Sequence, residues 1–191
     1  MTNLRFVITG GPGAGKTTIL NALAERGYLY AAESARAIIR ERLAKGLSPR
    51  PPLEQFGNAI LHRDIARYRG TRVTDHPVFF DRGIVDALYV LDQQHAISPG
   101  KASEYVRSFP YNKVVLLIPP WEEIYRTDSE RDQTFSESVQ VCEGLRKWYA
   151  RWDYETIEVP RTAIDQRVNF ILQTVEEAAG DIGNKKVGGH G

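Results

Sequence analysis

Cysteine is almost missing from this chain: Cys142 is the single one among 191 residues. One thiol cannot close an internal disulfide, which fits a reducing compartment. Long apolar runs are missing as well. None approaches the roughly 20 residues that cross a bilayer, which argues against a membrane span. No sign of charge dominates, since 25 basic residues face 24 acidic ones. That balance removes the global field that would favour nucleic acid or a membrane surface. His76 and His95 lack metal-ligand spacing with any cysteine pair, which speaks against a zinc site. The first residues pass into a strand-like run without the basic start and cleavage site of a signal peptide. These absences suggest a soluble, cytoplasmic protein with one domain over 1–179, acting as a monomer or homodimer. The glycine-rich end, 180–191, carries few apolar residues and is expected to be a disordered tail.

What the chain does contain is alternation. Four short apolar runs read as buried strands: LRFVIT (4–9), PVFFD (77–81), KVVLLIP (113–119) and ETIEVP (155–160). A fifth, YLYAA (28–32), follows Gly27, a plausible stop for the first helix. Their apolar residues do not alternate with polar ones, which suits strands covered on both faces. Between them lie helical stripes: Leu53, Phe56, Ile60, Leu61 and Ile65; Phe135, Val139, Cys142, Tyr149 and Trp152; Ile164, Val168, Ile171, Leu172 and Val175. Strands alternating with helices predict an α/β three-layer sandwich with right-handed crossovers. The segment KGLSPRPP (45–52) reads as a loop, because its prolines forbid a continuing helix. His62, Arg63, Asp64, Arg67 and Arg69 read as a solvated helix face, and Trp148 and Trp152 as packing residues.

One stretch carries chemistry outright. Gly10, four residues, then Gly15-Lys16-Thr17 satisfies G-x-x-x-x-G-K-[ST] in full. Glycine backbone wraps phosphate closely with its N–H groups inward, at angles other residues resist. The helix that follows adds the positive end of its dipole. Gly10, Gly11, Pro12, Gly13, Ala14, Gly15, Lys16, Thr17 and Thr18 are therefore the expected binding loop for ATP, with Lys16 on the β- and γ-phosphates and Thr17 on Mg²⁺.

In open parallel sheets ligands lie beyond the carboxyl ends of the strands, so chemistry is expected at those ends. ESAR follows the second strand and supplies Glu33 and Arg36; DRG ends the third and supplies Asp81 and Arg82. An apolar strand ending in Asp is where a carboxylate holds Mg²⁺. A second carboxylate there suits a general base for a hydroxyl proton, and the arginines suit a bidentate clamp on the acceptor. The competing reading makes Glu33 a helix cap or helix-start charge that pairs with Arg82. WEEIYRTDSERDQTF (121–135) follows the fourth strand and reads as a lid segment, with Arg126 and Arg131 able to stabilise a transferring phosphoryl group.

On GGPGAGKTT, ESAR, FFDRGIVDAL, IPPWEEIYRTDSERDQTF and the terminal VPR…RVNFIL, the chain resembles the AAA-like P-loop family that contains the nicotinamide riboside kinase domain of NadR-type proteins. The likeness runs over about residues 3–175. With a further likeness to thymidylate and deoxynucleoside kinases, it implies a five-stranded parallel sheet in the order 2-3-1-4-5. It also implies that Glu33 handles the acceptor hydroxyl, while Asp81 and Arg82 serve metal and acceptor. No room for the adenylyltransferase domain of NadR-type proteins is visible, and no ring-motor module.

The leading expectation is an Mg-ATP-dependent kinase for a hydroxylated metabolite of nucleoside or riboside type. The alternatives are a nucleotide-binding regulatory switch and a partner-coupled ATPase. ATP is expected over GTP, because the guanine-specifying Asn-Lys-x-Asp is absent.

Overall fold

The computed structural model describes residues 3–72, 75–125 and 134–184. Five strands alternate with helices: β1 (Arg5–Gly10), α1 (Lys16–Glu25), β2 (Leu29–Ala31), α2 (Ser34–Ala44), α3 (Leu53–Gly70), β3 (Val78–Asp81), α4 (Ile84–Gln93), α5 (Pro99–Ser108), β4 (Val114–Ile118), α6 (Phe135–Arg151), β5 (Glu155–Glu158) and α7 (Ile164–Asn184). All strand pairs are parallel, in the order β2-β3-β1-β4-β5. The three central strands are almost wholly buried, as runs without alternation require. Edge strands β2 and β5, of three and four residues, are partly exposed.

Each central strand serves two cores. Phe6, Ile8, Phe79, Leu116 and Ile118 pack under α1 and α7 with Ile19, Leu23, Val168 and Ile171. Val7, Val78, Phe80 and Val115 face the opposite way, against Ile60, Leu61, Leu88, Leu91 and Tyr149 of α3, α4 and α6. The two-residue period of a strand splits one greasy run between the layers. Gly27, in the left-handed region at φ 88°, ends α1 as its position after the stripe suggests.

Three expectations need correction. Val139 is exposed, and the buried face of α6 is Ser138, Cys142, Leu145, Trp148 and Tyr149. A serine takes the core position because phosphate-loop backbone lies against it: its Oγ donates to the Pro12 carbonyl at 2.7 Å. The polar face of α3 is not uniformly solvated. Arg63 is ion-paired to Glu41 at the surface, whereas Asp64 is 5% exposed. Finally, α7 runs to Asn184, so the helix continues into the segment read as tail, past Gly180; 185–191 lie outside the described residues. Among the described residues no helix is long and apolar enough to cross a membrane.

Candidate functional site

Parallel register brings the functional ends to one edge of the sheet: Ile8 pairs with Asp81, and Gly10 with Ile118. Gly10, Gly13 and Gly15 take φ of 139°, 73° and 84°, in the region that side chains resist. A side chain on Gly11 would collide with Ser138, and one on Gly13 with the Tyr125 ring, so both faces of the loop are covered. Lys16 is buried at the start of α1, and its ammonium donates to the carbonyls of Gly10 (3.1 Å) and Gly11 (2.7 Å). Thr17 and Thr18 are exposed beside it.

Arg82 leaves β3 in the left-handed region, φ 63°, a conformation that costs a non-glycine residue about 1–2 kcal/mol. Its ion pairs account for the strain. Nε donates to Glu33 Oε1 at 3.0 Å, and Nη1 approaches Asp86 Oδ1 at 3.4 Å. Burial works against the Arg82 charge, but the carboxylates of Glu33, Asp86 and Asp81 outweigh it and hold the guanidinium above its ordinary value. Glu33 stands at the N-cap position of α2 yet makes no side-chain cap bond. Instead it receives Arg82 on one oxygen and Arg36 on the other, at 3.3 Å. Half of the competing reading holds: Glu33 does pair with Arg82.

A cavity of about 260 Å³ opens on this cluster, lined by Pro12 of the phosphate loop, Glu33 and Arg82 at its polar end and by Ile39, Phe56 and Leu145 along its walls. Leu53 and Arg50, from the proline-rich 45–52 loop and the start of α3, complete the rim. Arg36 does not line the cavity and reaches it through Glu33. Asp81, at the end of β3, is buried and does not line it. Neither tryptophan lines it: Trp148 donates Nε1 to the Val85 carbonyl at 2.9 Å and packs edge-on against Trp152. Cys142 is buried, consistent with a core thiol. Arg126 and Arg131 lie outside the described residues. The flanking residues Tyr125 and Phe135 are in ring contact at 5.5 Å, with Tyr125 against Gly13.

Three residues of the site escaped the sequence reading. Asp86 accepts from the Thr9 hydroxyl, from Gly83 N (2.9 Å) and from Tyr149 OH (2.6 Å), while pairing with Arg82. Its signal was an acidic residue three after Gly83 at a helix start. Arg167 is 4% exposed, donates to the Ala14 carbonyl at 3.2 Å and lies 5.9 Å from the Trp121 ring centre. Burial alone pulls its guanidinium below the ordinary value. Its signal was a charge three residues after Ile164 on an apolar stripe.

Asp64 is the third. It follows Ile60 by four and Leu61 by three, on the buried stripe of α3, and accepts the Ser34 hydroxyl. Burial raises its carboxyl to about 7, Asp86 and Glu33 add to the rise, and Ser34 and Arg67 oppose it. The folded value thus lies above the unfolded one. Stability is fully retained below about pH 4, falls between pH 4 and 7 as the unfolded state alone ionises, and stays lowered above pH 7. Asp64→Asn keeps an oxygen for Ser34 and removes the ionisation. It is expected to raise stability by roughly 2 kcal/mol at pH 8 and to leave it nearly unchanged at pH 4, in thermal melts at the two pH values.

Solved structures share this fold. A deoxyadenosine kinase from M. mycoides with dCMP and dCDP bound is 14% identical, with 91% of this chain and 99% of that one covered, at a TM-score of 0.56. The NadR protein in complex with NR is 16% identical at a TM-score of 0.66; 92% of this chain covers 51% of NadR. The YorR protein of Bacillus subtilis, with phosphorylated GDP, is 12% identical over 91% of this chain and 96% of its own, at 0.57. No curated protein is a match in sequence. The family model described as an AAA domain matches residues 5–167, across the phosphate loop, the Glu33–Arg82 cluster and the start of α7, and the chain belongs to that AAA domain family.

Proposed function

We propose that the protein is an Mg-ATP-dependent small-molecule kinase that transfers the γ-phosphoryl group to a hydroxyl of a nucleoside- or riboside-like acceptor. The observation that carries this reading is the single cavity that Pro12 shares with Glu33 and Arg82. A donor cradle alone would serve a switch or a motor equally well; a carboxylate facing a cavity next to the cradle serves an acceptor. Glu33 would take the proton of the attacking hydroxyl, and Arg82 and Arg36 would fix its carboxylate in place. Phosphoryl transfer asks the protein mainly for positioning and for charge. Lys16 would exchange its two carbonyl partners for phosphate oxygens. Thr17, exposed in the loop, and Asp81, buried at the end of the strand paired with β1, carry hard oxygen donors of the kind Mg²⁺ takes. When bound, Mg²⁺ would neutralise charge on the phosphates. Arg126 and Arg131 are the candidates, by sequence position, for further charge on the transferring group.

The relatives named above are consistent with a nucleoside-type acceptor. The test is a coupled ADP-release screen of nucleosides and ribosides, each beside an acceptor-free control. Stimulation of at least tenfold by one acceptor class is expected. ADP release that no acceptor stimulates, with ATP binding intact, would replace the kinase by the switch or the ATPase. In the same assay Lys16→Ala is expected to weaken ATP binding and to lower turnover by roughly 10²–10³, as loss of a charge aimed at the phosphates does.

A further inference from the structure

The kinase reading assigns Glu33 and Arg82 but leaves Asp64 without a task. Asp64 lines the same cavity from α3, and Ser34 lines it from α2. Its Oδ1 takes the Ser34 hydroxyl, and among the described residues no other hydrogen bond or ion pair reaches the carboxyl group. Oδ2 thus has no hydrogen-bond partner among the described residues, on a side chain that lines the cavity. A carboxyl group on an apolar stripe costs stability unless something meets its second oxygen. A purely structural tie between α2 and α3 would be served as well by a neutral side chain.

We propose that Asp64, oriented by Ser34, is a specificity residue of the acceptor site: its second oxygen takes a hydrogen-bond donor of the acceptor other than the hydroxyl that receives phosphate. This rests on the kinase reading. The cavity, about 260 Å³, falls below the ~300–1,000 Å³ common for drug-sized ligands, so the acceptor is small. Ile39, Phe56, Ile60 and Leu145 give it apolar walls suited to a flat ring, and Asp64 and Glu33 give it two carboxylates. The acceptor class is therefore a ring-bearing molecule with a transferable hydroxyl and a second donor. A nucleoside offers that donor from two sources, a further sugar hydroxyl or a ring amine. Around Asp64 stand Ser34 and Glu33 from the start of α2, Arg67 on α3, Asp86 on α4 and Tyr111 ahead of β4. Because burial raises the Asp64 carboxyl, its change to a pure acceptor falls near neutral pH.

The experiment is steady-state kinetics at saturating ATP with adenosine, 2′-deoxyadenosine and purine riboside, which lacks the ring amine, on the wild type and Asp64→Asn. Asparagine fills the same space and still accepts from Ser34, but its amide presents hydrogens where the acceptor's donor arrives. The KM for the preferred acceptor is expected to rise about 10–100-fold, the effect of one hydrogen bond to a charged group, with kcat changed less than about threefold and the KM for ATP unchanged. Wild-type acceptor KM should fall as pH rises from 6 to 8, and the variant's should not. Loss of discrimination between adenosine and purine riboside assigns the donor to the ring; loss between adenosine and 2′-deoxyadenosine assigns it to the sugar. Unchanged acceptor KM, pH profile and both ratios in a folded variant would overturn the proposal while leaving the kinase reading standing. When none of the three is turned over, the same kinetics are run on the acceptor that the screen of nucleosides and ribosides selects; turnover of none in that screen would overturn both. Should the variant not fold, Ser34→Ala, which releases the carboxyl from its tether, must raise acceptor KM at least threefold; an unchanged KM there also overturns it.

Discussion

Glu33→Gln is expected to lower phosphoryl transfer by roughly 10²–10⁴ while ATP binds with unchanged affinity. The substitution keeps the size of the side chain and an oxygen for Arg82, but it removes the carboxylate proposed to take the acceptor proton, and general-base catalysis is worth about that factor. A structural loss accompanies the chemical one. Glu33 holds Arg82 at 3.0 Å and Arg36 at 3.3 Å, and a neutral amide holds neither charge as well. The two effects separate in measurement. A lost base lowers kcat; a displaced Arg82 raises acceptor KM. Transfer kinetics beside ATP titration calorimetry will read both. Wild-type kcat in Glu33→Gln would end Glu33's assignment as base and leave it a positioning role.

Asp86→Ala should be the most destabilising single change in the site, by about 3–5 kcal/mol. Asp86 is 4% exposed and meets four groups: Thr9, Gly83 N, Tyr149 OH and the Arg82 guanidinium. Its removal leaves a phenol and a hydroxyl buried without their acceptor and breaks the Arg82–Asp86 ion pair. Removing one partner of a buried pair costs far more than the pair is worth, because the other charge stays behind. For a chain of 191 residues a loss of that size corresponds to a fall of roughly 10 °C in Tm. Urea unfolding at pH 7 will measure it. A loss below about 1 kcal/mol would show that water replaces Asp86, and that the site does not depend on it for its shape. Asp86→Asn should fall between, since the amide oxygen still accepts on one side but the NH₂ brings two hydrogens into a ring of donors.

The AAA domain family to which the chain belongs was legible in GGPGAGKTT and FFDRGIVDAL, because phosphate loops and strand-end carboxylates are runs of adjacent residues. Strand positions were legible for a related reason. A strand buried on both faces must be apolar throughout, and VFFD and VVLLI are nearly so. Asp64 was not legible. A charge beside Arg63 and Arg67 reads as solvated until α2 is laid across α3 and Ser34 arrives from thirty residues away. Val139 failed in the opposite sense. It looks like core, but the phosphate loop passes over the next face, where Ser138 can satisfy a carbonyl and a valine cannot.

The sequence by itself determined which loop carries the phosphate-binding pattern, where the carboxylates stand along the chain, and that the sheet is parallel. These follow from local rules of backbone angle, period and spacing, which act over a few residues. Only the tertiary structure decided which charges share a cavity. Glu33 and Arg82 are 49 residues apart, and Tyr149 and Asp86 are 63 apart. The parallel register of β3 with β2 brings Glu33 and Arg82 to one edge of the sheet, and the packing of α6 on α4 brings Tyr149 to Asp86. Long-range pairing of this kind is set by the packing of two cores against one sheet, and no short window of sequence contains it.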